Sequence, residues 1–323
     1  MSGTQKSKNH HWWPVGLQSH WANYAGDVSW IEPSGNIISK RTANRKIGFK
    51  IHGHTILRGS AWESSFEAEF DIDNEVHKII AALKALRPFG WTPREFFSLI
   101  KLRFKKNTTL RDRCKYYHLD ETLHRNLLLL MHSLLIRSPA NRSRYESYSR
   151  FVGRPPDEEV GKLNMMQRYA LAKKLCQTGL ISNQYFVLLH SPWDRFIFGD
   201  GSLDWMTNGL AGNRISGRTL IPLTPHLCVY FCTPMSMRPT PNCASLLAAP
   251  WMVDWINDIT QVYSKDKLFF LGKAPKLTEA FRQAQFLEHK KKSDDLIEML
   301  DEIAGFGRET RFFAPGSIVR RRQ

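Results

Sequence analysis

Acidic residues are scarce in this chain: 30 Asp and Glu stand against 46 Lys and Arg in 323 residues, a formal charge of +16. So one-sided a balance disfavours cationic partners and favours polyanions, nucleic acid foremost. Cysteine is sparse too. Cys114, Cys176, Cys228, Cys232 and Cys243 form an odd set without paired short spacing, which excludes a disulfide scaffold and suits reduced thiols in the cytoplasm. Long apolar runs are missing: the richest, Leu127 to Ile136, is interrupted by His132 and Ser133 and is far shorter than the roughly 20 residues that cross a bilayer. Met1 to His11 is polar, with Lys6 and Lys8, and offers no secretory apolar core. A cytoplasmic location without a membrane partner is the resulting expectation. No P-loop, dinucleotide fingerprint or nucleophile elbow occurs either.

Hydrophobic residues at 42% and charged residues at 24% are globular values, and the length suffices for a sizeable core. Short extended runs, Asp27 to Ile31 and Asn36 to Ser39, flank Pro33, Ser34 and Gly35, which predicts a hairpin; Ile47, Phe49 and Ile51 alternate as a third strand. Val76, Ile79, Ile80 and Leu83 mark an amphipathic helix that stops near Pro88 and Gly90. Thr92, Pro93 and Glu95 open an apolar and basic helix, and Glu121 to Ile136 and Val160 to Cys176 predict two more. Extended runs follow at Gln184 to His190, Arg195 to Gly199, Leu220 to Leu223 and His226 to Cys232, read as an antiparallel meander. A helix around Met252 to Tyr263, a strand Lys267 to Leu271 and an amphipathic helix around Leu296 to Ile303 complete the pattern. The fold class is α+β: an N-terminal hairpin, a central helical bundle and antiparallel strands in the C-terminal half. Residues 1–275 form one domain, β-rich over 10–60, helical over 72–180, and meander plus helix over 184–272. Residues 276–323 form a helical extension with a basic tail.

Between Arg94 and Arg150, 13 Lys and Arg meet five acids, a net +8 that is half the total charge. Lys101, Arg103, Lys105, Lys106, Arg111, Arg113 and Lys115 are its densest part, and Tyr116, Tyr117, Tyr145 and Tyr148 interleave with it. Cations beside aromatic faces suit nucleic acid, single strands included; solvated helix faces with half-buried tyrosines are the alternative.

Candidate chemistry is more scattered. Glu63, Glu67, Glu69, Asp71, Asp73 and Glu75 concentrate acid in a basic chain, as a metal-assisted phosphodiesterase needs, or they make an acidic loop and first helical turn. Asp200, between Gly199 and Gly201, is either a strand-end ligand or a turn residue. His52 and His54 share a strand face and can share a metal, though a hydrogen-bonded pair is the commoner arrangement. His226, Cys228, Cys232 and Cys243 lack a tight zinc pattern and read as inert thiols beside a histidine.

These pieces in order resemble an uncharacterised, mainly bacterial domain-of-unknown-function family. The matching elements are His11, Trp12, Trp13 and Pro14 with Trp21; Glu75 heading an apolar helix; Arg137, Ser138 and Pro139 with Arg142; Phe196 to Gly201, a strand ending in Asp; Leu220 to Pro225, a Pro-Leu-x-Pro strand; and Asn257 in a late helix. The series spans about residues 10 to 275. The chain departs from it at Gly199, Gly201 and Ser202 around the Asp, and at Gln18. The resemblance implies no reaction. Its His, Glu, Arg, Asp and Asn form either a convergent polar site or a structural network.

The leading expectation is a metal-dependent nuclease, of the toxin or anti-phage defence kind, using magnesium or manganese. Glu75 and Asp200 would hold the metal, His11 would act as base or ligand, Arg137 and Arg142 would hold a phosphate, and Asn257 would complete the site. The alternative is a non-catalytic nucleic-acid-binding module, or a subunit docking a protein partner through surfaces rich in its ten tryptophans.

Overall fold

The computed structural model describes residues 9–42, 47–58, 61–66, 69–104, 108–178, 184–206, 215–233, 241–283 and 292–305. The chain begins with β1 (Asn9–His11), α1 (Val15–Gln18), β2 (Asp27–Ile31), β3 (Ile37–Arg41), β4 (Phe49–Ile51), β5 (Thr55–Arg58) and β6 (Ala61–Ser65). Next come α2 (Val76–Ala85), α3 (Pro93–Phe104), β7 (Cys114–Tyr117), α4 (Glu121–Arg137), α5 (Pro139–Glu146) and α6 (Glu158–Gln177). The C-terminal half holds β8 (Tyr185–His190), β9 (Phe198–Gly199), β10 (Leu203–Asp204), β11 (Arg218–Thr224), β12 (Leu227–Cys232) and β13 (Cys243–Leu247). It ends with α7 (Pro250–Tyr263), β14 (Leu268–Phe270), α8 (Glu279–Arg282) and α9 (Lys292–Ala304). The architecture is mixed α+β. Among the described residues no helix is long and apolar enough to cross a membrane.

The expected hairpin forms from β2 and β3, with Ile31 opposite Ile37 and Gly35 at φ +89° in the turn, a backbone state that a side chain would strain. It joins β14 and β9 in a four-stranded sheet. The run Ile47, Phe49, Ile51 does not extend that hairpin: β4 pairs with β1 in a separate ribbon, Asn9 opposite Ile51, and Ile51 faces solvent. The central sheet runs β10-β11-β12-β8-β13-β7. Its middle strands β8 and β12 are buried along their whole length, so they read in sequence as continuous apolar runs. The meander expectation fails at β9, which pairs with β14 in the four-stranded sheet, and β13, a strand absent from the expectation, lies on the far side of β8 and runs parallel to it.

The helices start where capping chemistry places them. The Asp120 carboxylate accepts the Leu123 N–H at 2.9 Å ahead of α4, and Asp157 accepts the N–H groups of Glu159 and Val160 ahead of α6. Ser138 caps α5 with Pro139 in its first turn, a helix the sequence reading missed because Pro139 was taken only as a stop. Within the region assigned to a C-terminal extension, α9 joins the main core. Leu296, Leu300 and Ile303 of α9 are buried in it, and Asp301 accepts hydrogen bonds from Arg218 at 2.8 Å and from the Tyr230 hydroxyl at 2.6 Å.

Candidate nucleic-acid interface

The polar residues singled out by motif fall into structural roles one after another. Arg137 ends α4 with a fully buried side chain; it donates to both carboxylate oxygens of Asp73 at 2.8 and 2.6 Å, to the His11 carbonyl at 3.1 Å and to the Ser133 carbonyl at 3.3 Å. Its guanidinium lies 4.3 Å from the centroid of the Phe70 ring. The fork is engaged with protein on its edges and face, so the phosphate-holding expectation for Arg137 is corrected. Arg142 is also buried, donates to the Gly53 carbonyl at 3.0 Å and faces Glu158, and desolvation pulls its pKa down. Glu158 in turn meets Lys50 at 3.0 Å, and the buried Lys162 meets Glu159 at 2.7 Å, so a balanced charge network surrounds Arg142. His11 sits on β1, its ring tilted against Phe49, and its backbone carbonyl accepts a hydrogen bond from Arg137.

Asp200 is wholly buried, and its carboxylate oxygens accept the N–H groups of Lys265 at 2.7 Å and Asp266 at 2.8 Å. Burial pushes its pKa up to about 7, while the two amide bonds pull it down. The carboxylate therefore clamps the turn between α7 and β14. Asn257 accepts from Ile197 N–H at 2.9 Å and donates to the Arg195 carbonyl at 3.1 Å, stapling the loop before β9 to α7. Glu75 precedes α2 and meets Lys78 at 3.1 Å. Among the described residues no hydrogen bond or ion pair joins Glu75 to Asp200, Asn257 or Arg142.

The other described acids near Glu75 are met by cations, Asp73 by one and Asp71 and Glu69 by another that they share. Asp73 holds Arg137, Asp71 meets Lys173 at 2.9 Å, and Glu69 lies 3.8 Å from Lys173. The side chain of Glu63 and residue Glu67 lie outside the described residues. Among the described residues no group of three or more His, Cys, Asp and Glu is arranged to hold a metal ion. His54 pairs with His10 instead of His52: the rings stack at 5.2 Å, and the His54 N–H donates to His10 Nδ1 at 2.7 Å. His52 is diverted into a left-handed turn at φ 52°. Cys228, Cys232 and Cys243 are buried and their thiols are pushed well above the ordinary range, which makes them inert, and His226 bonds the Ser191 carbonyl.

The basic segment divides into an inner and an outer part. Arg137, Arg142 and Arg144 pair with Asp73, Glu158 and Asp204, of which only Asp204 is buried. From Arg94 to Lys115 the sequence carries eight Lys and Arg against Glu95 and Asp112, a net +6, and none of the described charged side chains in this stretch is fully buried. Lys101 on α3 and Lys115 on β7 are exposed, while Arg111 and Arg113 are half-buried in the 3₁₀ turn Leu110–Arg113. The side chain of Arg103 and residues Lys105 and Lys106 lie outside the described residues. Lys115 and Glu95, 3.5 Å apart, bring β7 beside α3.

α3 opens with a reciprocal cap. The Glu95 N–H donates to Thr92 Oγ1 and the Thr92 N–H to the Glu95 carboxylate, each at 3.3 Å. None of its described side chains is fully buried. Phe97 is 65% exposed and Phe104 81%, and Trp193, whose ring lies 6.4 Å from that of Phe96, is 63% exposed. The tyrosines behave differently from expectation: Tyr145 is core, Tyr117 donates to the Arg87 carbonyl at 2.7 Å, Tyr148 is half-buried, and only Tyr116 is exposed. Sequence reading missed the outward Phe and Trp residues, because apolar residues at helical spacing signal a buried stripe. The signal was the cations on both sides of that stripe. The chain matches no protein-family model, no curated protein and no solved structure.

Proposed function

We propose that this protein is a non-catalytic nucleic-acid-binding module whose contact surface is the outer basic face formed by α3, the turn Leu110–Arg113 and β7. The observation that carries this reading is the division of charge. The inner arginines are paired with Asp73, Glu158 and Asp204, whereas Arg94, Lys101 and Lys115 are exposed beside exposed rings, in a stretch whose sequence carries a net +6. Such a face attracts phosphate backbones and releases their counterions. The residues expected to do chemistry support the reading from the other side, since Asp200 and Asn257 spend their polar atoms on backbone groups. Five unpaired thiols suit a reducing, cytoplasmic compartment.

The test is retention of labelled DNA and RNA by the purified protein over a salt series, with and without magnesium or manganese. Four surface cations contacting phosphate give a log–log salt slope of about −3 to −4. Reversing Lys101 and Lys115 to Glu lowers affinity for every sequence and flattens that slope by about 2. Retention that ignores both substitutions overturns the assignment of the surface. Metal-dependent cleavage overturns the non-catalytic reading and restores the nuclease.

A further inference from the structure

We infer that the occupant of this face is a single strand, held by bases stacking on the outward rings of α3 while its phosphates meet the cations beside them; this rests on the nucleic-acid reading and names the form the surface selects. Three observations carry it. The first is which side chains face outward. Trp91, Phe96, Phe97, Phe104, Tyr116 and Trp193, on and beside α3, are all exposed, and the single large exposed aliphatic among them is Ile100. Leu99 and Leu102, the other aliphatic residues of the same helix, are turned partly inward, Leu99 packing over Gly90. A surface that meets lipid tails or an apolar protein groove gains as much from Leu or Ile as from a ring, whereas a base needs a π face.

The second observation is the order along the helix. Phe97 and Phe104 lie seven residues apart, about 10 Å of rise, and Lys101 sits between them, about one turn from each. Ring, cation and ring on one side of a helix present stacking positions with a phosphate contact in the middle. The third is charge: among the described side chains of α3, the turn Leu110–Arg113 and β7, Arg94, Lys101, Arg111, Arg113 and Lys115 against Glu95 and Asp112 leave +3, complementary to a polyanion and repulsive to a second copy of a +16 chain. A duplex satisfies the charge but keeps its base faces stacked inside, so the rings would gain nothing from it.

The experiment compares single-stranded RNA and DNA of about 16 nucleotides with duplexes of equal length. It uses the full chain and its Phe97→Leu/Phe104→Leu and Phe97→Trp/Phe104→Trp variants, and both positions are exposed enough to leave the core untouched. The Leu pair keeps apolar area and removes the rings; the Trp pair keeps the rings. The expected result is single-strand affinity lowered about tenfold or more in the Leu pair and retained in the Trp pair, with the salt slope and duplex affinity unchanged. A Leu pair that binds single strands like the native chain overturns the inference. So does sedimentation of the native chain and the Leu pair alike with equimolar phosphatidylcholine and phosphatidylglycerol vesicles when single strands are not preferred, which assigns the face to lipid. Equal retention of single and double strands removes this inference and leaves the nucleic-acid reading standing, whereas no retention of either removes both.

Discussion

Loss of the Asp73 carboxylate should cost this protein a large share of its stability and leave its nucleic-acid affinity unchanged. Arg137 is completely buried, and Asp73 supplies two charge-assisted hydrogen bonds at 2.8 and 2.6 Å. Asp73→Ala leaves a guanidinium in the core without its counter-charge, for which about 3–5 kcal/mol is typical. The Asp73 side chain is 27% exposed, so water reaches the vacated side and the low end, about 3 kcal/mol, applies. That is more than a hundredfold in the folding equilibrium, and with a urea m-value of about 3 kcal/mol/M it moves the midpoint by about 1 M. In the paired variant Asp73→Leu/Arg137→Met both charges go together, and most of the loss should be regained. The assay is equilibrium urea denaturation of the native chain, both single variants and the pair, with oligonucleotide retention measured beside it. A cost for Asp73→Ala below about 1 kcal/mol, or a pair that merely sums the singles, refutes the buried-pair argument. Rising affinity in Asp73→Ala would refute the assignment differently, by showing that the freed arginine reaches phosphate.

Two further outcomes follow from the buried titratable groups. Asp200→Asn sets an NH₂ group against an amide N–H that now meets a carboxylate oxygen, and should lower stability by about 1–3 kcal/mol in thermal or urea melts without changing nucleic-acid retention. Retention lost in a variant that is still folded would return Asp200 to the binding surface. Burial holds the His132 and His190 imidazoles down at about 4, from 6.5, so the unfolded chain takes up those protons first as pH falls. Their contribution is complete above about 6.5 and is lost towards 4, at about 1.4 kcal/mol per pH unit each. Asp200, raised to about 7, acts with the opposite sign, since the folded state keeps a proton that the unfolded state has lost between about 4 and 7. Urea melts across that range should show His132→Leu with a weaker loss of stability on acidification than the native chain; an equal loss would mean that His132 is charged in the fold.

Local chemistry was legible in the amino-acid order wherever a short pattern meets one backbone solution. The hairpin around Gly35, the cap at Thr92 and the apolar stripe Val76, Ile79, Ile80, Leu83 all appear in the structure at the expected places. So do the α+β class and the surface character of the charge at Lys101 and Lys115. Tertiary structure decided the rest, because partners distant in sequence choose what a polar side chain does. The motif Arg137-Ser138-Pro139 reads equally well as a phosphate clamp or a buried ion pair until Asp73, 64 residues away, is seen beside it. Asp200 is a free strand-end carboxylate in sequence and a turn clamp only once the 265–266 amides arrive. The same holds for β13, whose short run Cys243–Leu247 becomes a strand by lying parallel to β8, and for α9, whose stripe finds the main core rather than a separate unit. Periodicity established that α3 is a helix with an apolar side. Only packing decided that its rings face water, because which side of a helix is covered depends on neighbours that the helix's own sequence does not name.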